Sequence, residues 1–204
     1  MLQGASGIVA AALPASTSAR TAEQSDAKTT GTETRASGDV TGRLARYMVA
    51  ARDRELSAPI VRDTKNRILD TIGAMVSGAA LPPGVMATRY VRAQGGTAEA
   101  SVLTTDIRTT AVNAALANGM FAHADETDDF EPVTKAHPGC SAVPAALAVG
   151  ERENASGEDL IRAVVLGYDL GCRWLQALGP NHVRATHRSA EGVSATMGAA
   201  AAAA

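Results

Sequence analysis

The chain has 204 residues, 46% of them hydrophobic but only 3% aromatic, with 19 basic and 21 acidic side chains and a formal charge of −2. That much apolar material builds one sizeable core and excludes disorder over most of the length. Rich in alanine and poor in aromatics, it suits closely packed helices rather than a β-sandwich. No basic run is interleaved with aromatics and no apolar run nears the roughly 20 residues that cross a bilayer, so neither nucleic acid nor membrane is expected as a partner.

The apolar stretch 7–13, followed by the small residues of 14–19, has the shape of an export signal and its cleavage site, but no Arg or Lys precedes it. Residues 20–39 are rich in Thr, Ser, Gly and Ala and read as a disordered linker. Residues 1–39 are therefore expected to be a signal-like segment and linker, and 40–204 a single all-α, bundle-like domain. A cytoplasmic location follows, or export if an upstream start supplies the basic residues.

Leu44, Tyr47, Met48 and Ala51 recur at helical spacing after a Thr41 cap, giving a first helix. In the second, Ser57 is placed as cap and Pro59 in the first turn. Its stripe is Val61, Ile68, Ile72, Met75 and Ala79, before Gly78 and Leu81-Pro82-Pro83-Gly84 stop it. A short helix is expected over 85–92, an extended segment over 99–104, an alanine-rich helix over 109–123 and another over 142–152. Ser156-Gly157-Glu158-Asp159 reads as a capping box for a helix over 160–178, apolar nearly all round and so expected at the centre of the domain. The alanines of 199–204 continue a last helix with no stop signal, so the domain is expected to be incomplete.

The densest chemistry lies in His123-Ala124-Asp125-Glu126-Thr127-Asp128-Asp129 and in His137-Pro138-Gly139. Four carboxylates and two imidazoles this close must face water, a metal or a polar ligand. They begin at a helix C-terminus, which already carries negative partial charge, and a local rule broken in this way marks function. His123 reads equally as a hydrogen-bonded helix end and as a catalytic group. Asp128 and Asp129 read as a solvated loop, weakened by the apolar Phe130, Pro132 and Val133 that follow. His137, on a turn fixed by Pro-Gly, favours function. His187 lies among Arg184, Arg188 and polar residues and is open between structure and anion binding. A metal site from His123, Asp125, Asp128 and His137 is a weaker alternative, since the spacings match no tight motif. Cys140 and Cys172 lack the spacing of a zinc cage or cluster and read as small buried residues.

In order and spacing the chain resembles the MmgE/PrpD family, which includes 2-methylcitrate dehydratase, cis-aconitate decarboxylase and iminodisuccinate epimerase. The stretches that carry the resemblance are Ile68-Leu69-Asp70-Thr71-Ile72-Gly73, Ala117-Asn118-Gly119-Met120-Phe121-Ala122-His123-Ala124, Asp128-Asp129, His137-Pro138-Gly139, Gly157-Glu158-Asp159-Leu160-Ile161-Arg162-Ala163, Gly167-Tyr168-Asp169-Leu170 and the His187 segment. The resemblance implies a cofactor-free, metal-free lyase or isomerase, a homodimer when complete, with an all-helical domain and a smaller lid. It would act on a small di- or tricarboxylate by taking a proton next to a carboxylate.

The resemblance implies that His137 and His187 are the pocket's histidines and Asp128 and Asp129 its paired acids, with Glu126, Arg188 and His123 binding substrate. His137 would transfer the proton. The decarboxylase and dehydratase branch has aspartate where this chain has Glu126 and threonine where it has Phe130, and the loop before His137 is one residue longer here. The family's later lysines and its lid would lie beyond Ala204. An inactive helical remnant or dimerisation module, and a metal-dependent enzyme, stand as alternatives.

Overall fold

A computed structural model of the protein describes residues 39–204, and the signal-like segment and linker expected over 1–39 fall almost wholly outside the described residues. The described chain runs α1 (Val40–Arg52), α2 (Ala58–Gly78), α3 (Pro82–Gln94), β1 (Ala100–Ser101), β2 (Arg108–Thr109), α4 (Ala111–Ala122), α5 (Gly139–Glu153), α6 (Gly157–Leu178), α7 (Pro180–Ala185) and α8 (Ala190–Ala203). The fold is all-α: the two strands form only a short antiparallel ribbon, with Ala100 opposite Thr109 and Ser101 opposite Arg108. No single helix among the described residues is long and apolar enough to cross a membrane.

Helix ends follow local chemistry, with shifts from the sequence reading that have simple causes. Asp39, not Thr41, caps α1, its carboxylate accepting the Gly42 N–H at 2.7 Å. Pro82 opens α3 instead of separating it from α2, because a proline's missing N–H costs nothing in a first turn. α5 starts at Gly139, three residues before the expected start, and places Pro144 deeper in the helix. The Ser156–Asp159 capping box at the start of α6 is formed in both directions. Buried Asn118 on α4 ties down the ribbon, accepting the Leu103 N–H at 2.9 Å and donating to the Ser101 carbonyl at 3.0 Å.

The centre of the domain is α5, not α6 as its composition led one to expect. On α5, Gly139, Ala142, Val143, Pro144, Ala145, Ala146 and Ala148 are all buried. α6 is amphipathic: Val164, Gly167, Tyr168, Leu170, Gly171 and Leu175 face inward while Trp174 and Leu178 are exposed. The small side chains of α5 let α4, α6 and α8 approach it from several directions, which bulky residues would prevent.

α6 and α8 meet backbone to backbone. A Cβ placed on Gly167 would lie 2.9 Å from the Gly198 carbonyl oxygen, one on Gly171 2.9 Å from the Ser194 oxygen, and one on Gly198 3.0 Å from the Gly167 oxygen. The scarcity of aromatics has its structural counterpart in this seam.

Candidate functional site

α4 ends at His123, and the loop from 124 to 138 leads into α5, so the acidic stretch bridges two buried helices. The loop is organised by its own side chains. The Glu131 carboxylate accepts the N–H of Val133 (3.1 Å) and of Thr134 (2.7 Å) and the Thr134 hydroxyl (2.6 Å), closing a turn that Glu131 and Ala136 pair across. Its acids divide by direction: Asp125 and Glu126 are exposed, Glu126 with a left-handed φ of +55°, while Asp128 and Asp129 turn inward.

Asp128 lies between two imidazoles. Its Oδ1 is 3.0 Å from His123 Nδ1 and 3.3 Å from His137 Nδ1, and the ring centroids stand 5.0 Å apart. The Asp128 side chain is 0% exposed, against 32% for His123 and 16% for His137. Among the described residues no lysine or arginine pairs with it, and its Oδ2 has no hydrogen-bond partner. A buried carboxylate is costly without polar partners, and His123 Nδ1 supplies the one hydrogen bond its side chain makes here. The Phe130 ring meets His137 edge-on at 5.6 Å.

Asp129, its neighbour in sequence, is saturated. Its Oδ1 accepts the Gly139 N–H at 2.8 Å, and its Oδ2 accepts the Tyr168 hydroxyl at 2.7 Å and Arg67 Nη1 at 2.8 Å. Arg67 also bonds Asp63 at 3.1 Å and lies over the Tyr168 ring. Burial, and then the Asp129 charge, push the Tyr168 hydroxyl far above the ordinary tyrosine range. Burial followed by Asp129 and Asp128 likewise raises the Asp70 carboxyl, with Arg67 opposing. Gly139 is enclosed by this network: a Cβ there would lie 2.5 Å from Asp129 Oδ1, 2.6 Å from Thr71 Oγ1 and 2.9 Å from the Tyr168 hydroxyl. Asp129 thus holds the turn that presents His137, and the glycine of His-Pro-Gly is required by space.

The Cys140 thiol donates to the His137 carbonyl at 3.1 Å and is pushed well up by burial and then by Asp128, which favours the thiol over the thiolate. His123, Asp128 and Cys140 place one ligand atom each within 4.8 Å of one another, the set that would hold a metal; Cys140 stands there in place of the His137 and Asp125 of the sequence reading. A groove of about 530 Å³ between α4, α5 and α8, lined by Leu116, Met120, His123, Cys140 and Ala199, opens beside it.

His187 and Arg188 follow α7 on an exposed turn, His187 with φ +57°, and among the described residues neither side chain makes a hydrogen bond. Their segment is nonetheless attached to the acidic loop. Arg184 Nη2 donates to the Thr134 carbonyl at 3.1 Å, and Val183 and Ala190 pack with Ala136 and Leu175. Burial pushes Glu191 up, but its own backbone N–H, the Ser189 hydroxyl and the charges of His137 and Arg184 outweigh it and hold the carboxyl below its usual range. The start of α8 thus lies within electrostatic reach of His137.

The structure therefore joins His123, Asp128, Asp129 and His137, and leaves Glu126, His187 and Arg188 at the surface. Arg67, Tyr168 and Glu191 escaped the sequence reading. Tyr168, a polar group in an otherwise apolar run, was the one signal; Arg67 sits among the polar Asp63, Thr64, Asp70 and Thr71 at helical spacing, and neither it nor Glu191 stood out.

The described residues form a helical domain whose inward-facing loop brings two histidines to one buried aspartate. Residues 42–204 match the MmgE/PrpD N-terminal domain, and the chain belongs to that family. Cis-aconitate decarboxylase-like protein oryM of Aspergillus oryzae is 26% identical over 151 residues, covering 71% of this chain. The chain spans 31% of that relative's length.

Proposed function

We propose that the chain is the helical part of a lyase or isomerase that acts on a small di- or tricarboxylate by moving a proton at the carbon next to a carboxylate. The observation that carries this reading is the buried Asp128, whose backbone carbonyl bonds His137 Nδ1 and whose carboxylate lies 3.3 Å from the same nitrogen, without an arginine or lysine partner among the described residues. An imidazole so oriented is matched to proton transfer near neutral pH. His137 Nε2 takes the proton, the C–H bond breaks, and its electron pair spreads into the adjoining carboxylate. In this reading the exposed His187 and Arg188 bind the substrate's carboxylates, and Glu126 accepts a hydrogen bond from a substrate hydroxyl. Loss of hydroxide, loss of carbon dioxide or inversion then depends on what the substrate carries. The working unit is proposed to be a homodimer without cofactor.

The test is proton exchange and turnover followed by NMR in heavy water, with cis-aconitate, citrate and malate as probes. His137→Asn is expected to lower the rate by about 10²–10⁴-fold. Unchanged turnover in that variant removes His137 from the mechanism. No reaction with any probe favours a helical domain without turnover. A second reading rests on the His123, Asp128 and Cys140 set: zinc that raises the melting temperature in the wild type and not in Cys140→Ser would make this a metal site.

A further inference from the structure

We propose that Asp128 holds His123 and His137 as a matched pair, each neutral ring with its Nδ1–H turned to Asp128, His123 to the carboxylate and His137 to the backbone carbonyl beside it, and its Nε2 bare, so that His123 is a second proton-transfer residue rather than a substrate-binding one. The inference rests on the proton-abstraction reading above and extends it to the chemistry of both imidazoles.

The geometry leaves little choice of tautomer. Asp128 Oδ1 stands 3.0 Å from His123 Nδ1 and 3.3 Å from His137 Nδ1. His137 Nδ1 also faces the Asp128 backbone carbonyl at 3.3 Å. A carboxylate and a carbonyl only accept, so each Nδ1 must carry the hydrogen, and a neutral imidazole then has a lone pair on Nε2. Among the described residues neither Nε2 is engaged in a hydrogen bond. A histidine kept for structure alone commonly uses both nitrogens inside the fold. Here both rings spend one nitrogen on Asp128 and remain partly open on the other side, His123 onto the groove between α4 and α5.

Two imidazoles 5.0 Å apart on one buried carboxylate suit a reaction that removes one proton and supplies another. One Nε2 takes the proton from carbon; the N–H bond forms, the C–H bond breaks and the pair enters the carboxylate-stabilised enolate. The other ring, once its bare Nε2 has taken a proton from solvent, gives that proton to the departing hydroxyl oxygen, which leaves as water, or to the opposite face of the carbon. From that uptake on, the unit holds one carboxylate, one imidazolium and one neutral imidazole before and after the transfer, their charges exchanged. No net charge is created where Asp128 is shielded from water, the step a buried site disfavours most.

Only four histidines are present, so their nitrogens are readable individually by long-range proton–nitrogen NMR. With both rings neutral, the expected spectrum shows Nδ1–H and bare Nε2 for both His123 and His137; Asp128→Asn disturbs the His123 tautomer, whose only partner is that carboxylate, while His182 and His187 do not change. An Nε2–H tautomer at either ring in the wild type overturns the pairing, whatever the variant's stability. In the heavy-water assay, His123→Gln is expected to cut net elimination or inversion by about 10²-fold or more while carbon-proton exchange persists, whereas His137→Gln stops both. Unchanged net turnover in His123→Gln refutes its proton-transfer role. A wild type that exchanges no proton refutes proton abstraction and takes that role with it, leaving the tautomer result to stand separately.

Discussion

The Asp129 cluster offers a quantitative test of what holds His137 in place. In Asp129→Asn the amide keeps the shape but offers one oxygen and one NH₂ where the carboxylate accepted three hydrogens, from Gly139, Tyr168 and Arg67. Whichever way the amide turns, a buried donor meets a donor, and Arg67 loses its nearest counter-charge. An orphaned buried donor costs about 1–3 kcal/mol, and breaking a buried ion pair about 3–5 kcal/mol. Asp129 is 7% exposed and Arg67 17%, and Arg67 keeps Asp63 at 3.1 Å, so the lower part of that range applies, about 3 kcal/mol. For a domain of this size that corresponds to a fall of about 6–12 °C in melting temperature. Circular dichroism during heating, repeated as a urea titration, reads it directly. Arg67→Met in the same background should then cost about 1–3 kcal/mol less than it does in the wild type. A drop under about 2 °C, or strict additivity of the two changes, would refute the account of Asp129 as the anchor of the turn.

Two further outcomes depend on ionisation. Because the folded Asp70 carboxyl is raised above its unfolded value, its penalty sets in as pH rises past the unfolded value, is complete above the folded one, and is absent where both states are protonated. Asp70→Asn should therefore raise the melting temperature at neutral pH, with the gain vanishing toward about pH 3; a gain that persists there would show a cause other than charge. Cys172 is pushed up to about 12 by burial and then by Glu131 and Asp129, and Cys140 is pushed up still more. At pH near 8 both should react with iodoacetamide about 10³-fold or more slowly than an ordinary thiol, and at ordinary rates after unfolding, as read by mass spectrometry. Rapid labelling of the folded chain would mean that the thiols are not enclosed.

The helical class and some helix ends were legible because caps, prolines and glycines act within a few residues, as with Ser156–Asp159. The central helix was misjudged because burial is decided by neighbours: the alanines of α5 are less hydrophobic one by one than the leucines of α6, yet they fit a crowded interior. The acids of the loop looked alike in sequence. Asp128 and Asp129 diverge because an irregular loop turns one toward His123 and His137 and the other toward Arg67 and Tyr168, partners tens of residues away that no local pattern announces. Whether the exposed His187 bears on substrate depends on what approaches that turn, which lies outside any helical or strand periodicity.

The glycine seam between α6 and α8 also works as a ruler. Gly198 fits against Gly167 and Gly171 in only one rotation, and Glu191 lies two turns earlier on the same helix, within electrostatic reach of His137. Inserting or deleting one residue between them would swing Gly198 by about 100° and set a methyl-bearing neighbour against a carbonyl. Helix α8 cannot relieve this by sliding, since any other register meets the same backbone with a larger side chain. The spacing from residue 191 to residue 198 should thus vary less among relatives than the identity of the residues between them, and a length change there would displace Glu191 from His137 without touching either side chain.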